Sequence, residues 1–210
     1  MFKLFNPDSA FSRGMNMVWD LVVLNVLWLV CALPIVTAGA ATAALYDVLF
    51  KMCEDRAARV GRQFFAAFAR NWKRATGTWL VILAAAVLCG LDLLLVSQAE
   101  NTLGAAFKVI SVGGLSFLTM MCTFLFPLLA WYENTWYNQL KNAALLAVAN
   151  LPRLLLCWLF WGAAIALSLW SAETLYAMLL IWLLVGFSSL SRLNLWILSP
   201  VFVRLEQSAE

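Results

Sequence analysis

Long apolar stretches separated by short polar ones dominate the chain. Five of them stay apolar for about 20 residues, the length that an α-helix needs to cross the hydrocarbon of a bilayer. They lie at about residues 16–36, 75–97, 105–130, 152–170 and 174–200. The pattern predicts an all-α integral membrane bundle of about five transmembrane helices, formed by a single domain over residues 1–210 that begins with an N-terminal segment, 1–15.

The composition supports lipid as the solvent of this bundle. Of the 210 residues, 64% are hydrophobic and 12% are charged, whereas soluble domains carry about 25% charged residues. A water-soluble fold of this length could not cover so much apolar surface. The apolar excess is therefore expected to face lipid.

Residues 37–74 form the longest stretch between two predicted spans. The stretch holds seven of the 14 Lys and Arg residues, namely Lys51, Arg56, Arg59, Arg62, Arg70, Lys73 and Arg74. Because cationic segments beside spans are retained in the cytoplasm, we expect it to be a cytoplasmic amphipathic region. Alternation of five spans then places the N-terminus outside and the C-terminus in the cytoplasm, in a multi-pass protein of the cell membrane.

The start of this region favours close packing of helices. Gly39 and Ala43 stand four residues apart in a helix predicted at about 38–52, a spacing of small residues that lets two backbones approach. Gly113 and Gly114 offer the same inside the third span. These four residues are candidates for helix packing or for a partner interface. The 38–52 helix itself is predicted to lie at the inner surface or beneath the bundle.

The end of the region combines aromatic and cationic side chains at helical spacing. The residues are Arg62, Phe65, Phe68, Arg70, Trp72, Lys73 and Arg74. A helix of this composition favours the headgroup layer of an anionic leaflet. The same mixture suits a protein or a nucleic acid, but the adjoining span favours membrane lipid. We therefore interpret these residues as lipid or partner contacts and predict no nucleic-acid binding.

Ionisable residues inside predicted spans are costly and are candidate functional residues. They are Asp20, Asp92 and Arg192. Arg192, Asp20 and Asn25 fall at depths that allow one shared polar centre. Such a centre would either line a path for a substrate or ion, or act as an internally paired charge that fixes helix register or contacts a partner subunit. We favour the second interpretation, because one cation with few polar neighbours makes a poor pathway.

Nothing in the sequence indicates catalysis, a metal site or a cofactor. The chain has no His, and its five Cys are scattered singly without a CxxC pair, which argues against metal sites and disulfides. No Ser or Cys stands in a motif with a general base. The sequence predicts a protein that is not an enzyme.

A weak internal repeat links the second and fourth spans. At an offset of 79, the aligned residues are Asn71 with Asn150, Arg74 with Arg153 and Trp79 with Trp158. Such symmetry is typical of some transport folds. Positive residues at the inner ends of spans also produce such matches by chance, so chance alignment stays an open alternative.

The N-terminal residues resemble a known family. The resemblance rests on Phe5-Asn6-Pro7-Asp8-Ser9, Arg13-Gly14-Met15-Asn16, Leu33-Pro34 and Thr37-Ala38-Gly39-Ala40-Ala41-Thr42, and extends loosely to Asn150-Leu151-Pro152-Arg153. By these residues the chain resembles the YesL family of bacterial membrane proteins. That family is found chiefly in Gram-positive bacteria, encoded beside sugar ABC importers. The resemblance implies a role near carbohydrate uptake and carries over no catalytic residue.

The leading hypothesis is a noncatalytic accessory membrane subunit of a carbohydrate (oligosaccharide) ABC importer, packed against the permease subunits. One alternative is a self-sufficient small-molecule transporter or channel. Another is a membrane sensor or regulator of sugar utilisation. A homo-oligomer is compatible with each of them.

Overall fold

The computed structural model describes residues 10–54, 59–96, 102–132 and 135–207. Within these ranges the chain is almost wholly helical and has no strand, which confirms the all-α prediction. The helices are α1 (Ala10–Ala32), α2 (Ala38–Cys53), α3 (Val60–Val96), α4 (Thr102–Trp131), α5 (Trp136–Ala149), α6 (Leu151–Ser168), α7 (Ala172–Ile181) and α8 (Phe187–Gln207). A 3₁₀ turn at Ile35–Thr37 leads into α2, and a π-helical segment at Trp182–Gly186 joins α7 to α8.

The described part of the chain contains six helices that are long and apolar enough to cross a membrane, as expected of a multi-pass membrane protein. They are Gly14–Ala32, Ile35–Cys53, Val60–Val96, Leu103–Trp131, Leu151–Ser168 and Ala172–Leu205. Five correspond to the predicted spans. The sixth, Ile35–Cys53, coincides with the helix expected at the inner surface. It is enclosed by the protein, since 56% of its apolar window is buried, against 6–22% in the others.

The aromatic and cationic residues at 62–74 belong to the same helix as the second predicted span, and their location in the headgroup layer stays a prediction. They are the first part of α3, which runs unbroken over 37 residues. The chain has no proline between Val60 and Val96 to interrupt it. At 1.5 Å per residue α3 is about 55 Å long, well beyond the roughly 30 Å of hydrocarbon in a bilayer.

The enclosed helix α2 packs along α3 on both sides of the change from cationic to apolar residues. Gly39 lies so close to Trp79 that a Cβ atom on Gly39 would collide with the Trp79 side chain. Further along α2, the buried carboxylate of Asp47 pairs with Lys51 and with Arg70, each at 2.5 Å. The end of α2 at Asp47 therefore lies beside the α3 cations, and the end at Gly39 lies beside the start of the apolar part of α3.

The closed core of the protein surrounds α2. The C-terminal end of α2 meets α4 and α8 in an aromatic cluster, where the ring centroid of Phe50 lies 4.4 Å from that of Trp131 and 5.4 Å from that of Phe202. Both α4 and α8 continue through an internal proline, Pro127 and Pro200, to reach it. Elsewhere large apolar side chains point outward, for example Leu88, Leu94, Leu95, Leu103, Val109, Leu159 and Leu169. That exposed apolar surface is the one expected to face lipid.

Candidate functional site

Asn25 on α1 is completely buried against the π-helical segment. Its amide nitrogen donates to the backbone oxygens of Trp182 at 2.9 Å and Leu183 at 2.8 Å. Its amide oxygen accepts the backbone N–H of Ser188 at 3.0 Å, and the Ser188 hydroxyl donates to the backbone oxygen of Leu21 at 2.9 Å. Asn25 therefore ties α1 to the joint between α7 and α8.

The π-helical segment explains why an amide is needed at this joint. A π-helix pairs each N–H with the carbonyl five residues back instead of four, so backbone groups at its ends lose their α-helical partners. Leaving such groups unpaired in an apolar medium is costly. A carboxamide offers both donors and an acceptor, and Asn25 satisfies three backbone groups at once.

The other two members of the predicted polar centre are not joined to Asn25. Among the described residues, no hydrogen bond or ion pair links any two of Arg192, Asp20 and Asn25. Arg192 lies on α8 one turn beyond Ser188, and its Nη1 atom is buried without a hydrogen-bond partner in the described part of the chain. Depth along a span does not determine which helix face carries a side chain, so the shared centre stays a prediction that these contacts do not test.

Asp92, the third ionisable residue inside a predicted span, has a partner of its own. Its carboxylate accepts a hydrogen bond from the hydroxyl of Ser111 on α4. The two residues are 19 positions apart in the sequence and lie on consecutive helices, so the hydrogen bond joins α3 to α4. Asp92 therefore contributes to pairing α3 with α4.

The predicted small-residue positions divide into covered and open ones. Gly39 and Ala43 are buried. At Gly114 a Cβ atom would lie 3.3 Å from Cys89 Sγ on α3, whereas at Gly113 it would meet no atom within 4 Å. Gly39, Ala43 and Gly114 thus serve packing within the chain, while Gly113 faces outward.

The predicted lipid or partner contacts also divide into two groups. Phe68 packs against the core, Arg70 is paired with Asp47, and the guanidinium of Arg74 donates to the Asn71 side-chain oxygen at 3.2 Å. Arg62, Phe65, Trp72 and Lys73 are exposed, and so is about half of the paired Arg70 side chain (49%). Part of the cationic surface is therefore occupied by internal contacts, and the rest is available to a lipid or a partner.

A cleft opens on the surface between α4 and α6, which we call the α4–α6 cleft. It measures about 370 Å³ and is lined by Thr119, Thr123, Trp158 and Trp161. The Trp158 indole donates to the Thr123 hydroxyl at 3.4 Å across its floor. The cleft lies between two helices that each carry an outward-facing glycine, Gly113 on α4 and Gly162 on α6.

Sequence reasoning did not identify the outward-facing small residues on α6. Gly162 and Ala166 follow Trp158 at four-residue spacing, both are exposed, and a Cβ atom on Gly162 would meet nothing within 4 Å. The same spacing of small residues marks Gly39 and Ala43. The signal was present in the sequence, but only the structure shows that one pair is covered and the other is open.

Part of the chain is similar to a known protein family. A family model described as "Protein of unknown function, DUF624" matches residues 21–93. The matched region begins in α1, includes Asn25 and all of α2, and ends in α3. No curated protein and no solved structure matches the chain.

Proposed function

We propose that this protein is a noncatalytic accessory subunit that binds another integral membrane protein beside the α4–α6 cleft. The observation that carries the proposal is the outward-facing pair Gly162 and Ala166, which the helices of the described residues leave uncovered. Helices in a bilayer associate through close packing at small residues and not through a hydrophobic force. The α2–α3 contact at Gly39 is a packed example of that geometry within this chain.

The walls of the cleft suit a helix as the occupant. Trp161 stacks against Trp182 with ring centroids 6.0 Å apart, which fixes one wall in place. On the opposite wall, the hydroxyls of Thr119 and Thr123 donate to carbonyls of their own helix and retain acceptor capacity. Hydroxyls at such positions form hydrogen bonds between membrane helices, whereas an acyl chain would use none of them.

The partner that we propose is the permease of a carbohydrate ABC importer. Its choice rests on the resemblance to the YesL family alone, because the family model that matches residues 21–93 describes a protein of unknown function and names no partner. In this arrangement the protein lies in the cell membrane with a cytoplasmic C-terminus, and the permease carries the sugar.

Copurification tests the proposal. Tagged wild-type protein, extracted in mild detergent from cells that express the importer, should retain the permease subunits, and Gly162→Leu should lose them. Gly90→Leu is the matched control, because Gly90 lies on α3 with equally open space around it. Failure of the wild type to retain permease, or equal retention by Gly162→Leu, would reject the proposal.

One observation favours a second candidate, a self-sufficient transporter. The Nη1 atom of Arg192, buried and without a hydrogen-bond partner among the described residues, lies on α8 six residues beyond the end of the π-helical segment, and π-helical segments are frequent at functional sites. Proteoliposomes that contain only this chain would then take up a small anion or sugar, and Arg192→Gln would abolish uptake. Absence of uptake, or uptake by Arg192→Gln at the wild-type rate, rejects this candidate.

A further inference from the structure

A groove with cations at one end and an apolar wall at the other runs between α3 and the start of α5. We call it the α3–α5 groove. It measures about 670 Å³ and is lined by Lys73, Arg74, Gly77, Thr78, Val81, Thr135 and Trp136. Nothing in the proposed subunit contact uses this surface, which lies apart from the α4–α6 cleft.

The cationic end of the groove suits a phosphate. Lys73 is exposed and makes no hydrogen bond or ion pair with a residue in the described ranges. Beside it, the guanidinium of Arg74 is held in place by Asn71. The groove also receives the N-terminus of α5, which begins after Thr135. First-turn N–H groups lack partners inside their own helix, and the helix dipole favours an anion there.

The other end of the groove suits a hydrocarbon chain. Val81 lies two turns beyond Arg74 on α3 and is 52% exposed, and Trp136 on the opposite wall is 58% exposed. Gly77 lies between the two ends, and a Cβ atom there would meet nothing within 4 Å. From one end to the other, the groove thus presents cations, an aromatic ring and an aliphatic side chain. These suit, in the same order, the phosphate, the interfacial region and the acyl chain of a phospholipid.

We propose that the α3–α5 groove binds one anionic phospholipid, with its headgroup phosphate at Lys73 and Arg74 and its acyl chain along Val81. A free phosphate would use the cationic end alone and leave the apolar wall unoccupied. The charge complementarity and the apolar wall together favour the lipid.

The internal repeat supplies a matched control. Arg153 donates to the side-chain oxygen of Asn150 at 3.0 Å, just as Arg74 donates to Asn71. Arg153 does not line the groove. Substituting it removes the same charge and the same local hydrogen bond without touching the proposed site.

Native mass spectrometry of the full-length protein in mild detergent tests the site with phosphatidylglycerol, phosphatidylcholine and inorganic phosphate. We expect one phosphatidylglycerol per chain, bound in preference to phosphatidylcholine. Since each cation near an anionic headgroup contributes about fivefold in affinity, the double variant Lys73→Gln/Arg74→Gln should bind about 25-fold more weakly. Arg153→Gln should bind as the wild type does.

A steric variant separates the site from general charge attraction. Gly77→Leu keeps both cations and fills the groove, so it should lose the lipid, while Gly90→Leu should keep it. The proposal is overturned if phosphatidylcholine binds equally well, if inorganic phosphate displaces phosphatidylglycerol at equal concentration, or if Arg153→Gln weakens binding as much as the double variant. Unchanged binding by Gly77→Leu would overturn it as well.

Discussion

The side chain of Asn25 accepts the backbone N–H of Ser188, 163 residues later in the chain, at 3.0 Å. The same amide donates to two carbonyls of the π-helical segment. One side chain on α1 thus stabilises an irregular stretch of backbone in the last membrane helix. The backbone of that stretch depends on a residue near the other end of the sequence.

Replacing Asn25 with Leu keeps the branched shape of the side chain and removes all three hydrogen bonds. Hydrogen bonds between membrane helices contribute about 0.6 kcal/mol each on average. We therefore expect Asn25→Leu to lower the free energy of unfolding by about 2 kcal/mol, measured in mixed detergent micelles. Ser116→Ala is the control, because the Ser116 hydroxyl is exposed and donates only to its own helix. Equal stability of the two variants would contradict the assigned role of Asn25.

Gly39 should tolerate no larger residue. A Cβ atom there would lie 2.8 Å from Trp79 Cγ and 3.0 Å from the backbone oxygen of Ala75, and the backbone of α3 cannot move away freely. Overpacking of this kind costs about 1–3 kcal/mol. We expect Gly39→Leu to lower the apparent melting temperature and the yield of monodisperse protein, while Gly90→Leu, with open space around it, leaves both unchanged. A normal melting curve for Gly39→Leu would show that α2 and α3 do not approach so closely.

Either of the two cations that pair with Asp47 should be sufficient to stabilise its buried carboxylate. Asp47 is 6% exposed, while Lys51 and Arg70 are 33% and 49% exposed. Removing either cation leaves the carboxylate paired, so Lys51→Gln and Arg70→Gln should each cost less than about 1 kcal/mol. Removing both leaves a buried, unpaired charge, which costs about 3 kcal/mol or more.

A double-mutant cycle measures this coupling from the unfolding free energies of the four proteins. Lys141→Gln controls for the loss of one positive charge, since Lys141 is exposed on α5. If the double variant loses only the sum of the unfolding free energies lost by the two single variants, Lys51 and Arg70 do not compensate for one another at Asp47.

The sequence predicts those features that depend on local pattern. Apolar length identified the membrane helices, because a span must cover the hydrocarbon with apolar side chains. The Asn–Arg pairs at Asn71 and Asn150 were found by alignment, and the structure shows the same hydrogen bond in both. They differ in the flanking backbone, because α3 continues past its pair, while Pro152 in the first turn of α6 marks the start of a new helix.

The features that sequence reasoning missed depend on which helix faces meet. The continuity of α3 was missed because a change from cationic to apolar side chains does not by itself end a helix. The role of Asn25 depends on the π-helical backbone at Trp182–Gly186, and no residue pattern indicated that segment. The exposure of Gly162 depends on the absence of a neighbouring helix on that face.

The number of crossings decides whether the two termini lie on the same side of the membrane. Six helices qualify by length and composition, but the second half of α2, at Asp47, packs against the part of α3 that carries exposed cations. Arg62 and Lys73 cannot face hydrocarbon without a large cost, so that part of α3 belongs outside the bilayer. Because Asp47 on α2 is paired with Arg70 in the same part, the second half of α2 should lie outside it as well, and α2 then does not cross the bilayer.

We therefore predict five crossings, with the N-terminus outside the cell and the C-terminus in the cytoplasm. Reporters that are active on one side only, fused in separate proteins to each terminus, should give opposite signals. A further fusion after Lys141, between the third and fourth crossings, should match the C-terminal signal, because two crossings separate these positions. Six crossings would instead place both termini on the same side, and identical signals from the two terminal fusions would show that α2 spans the membrane.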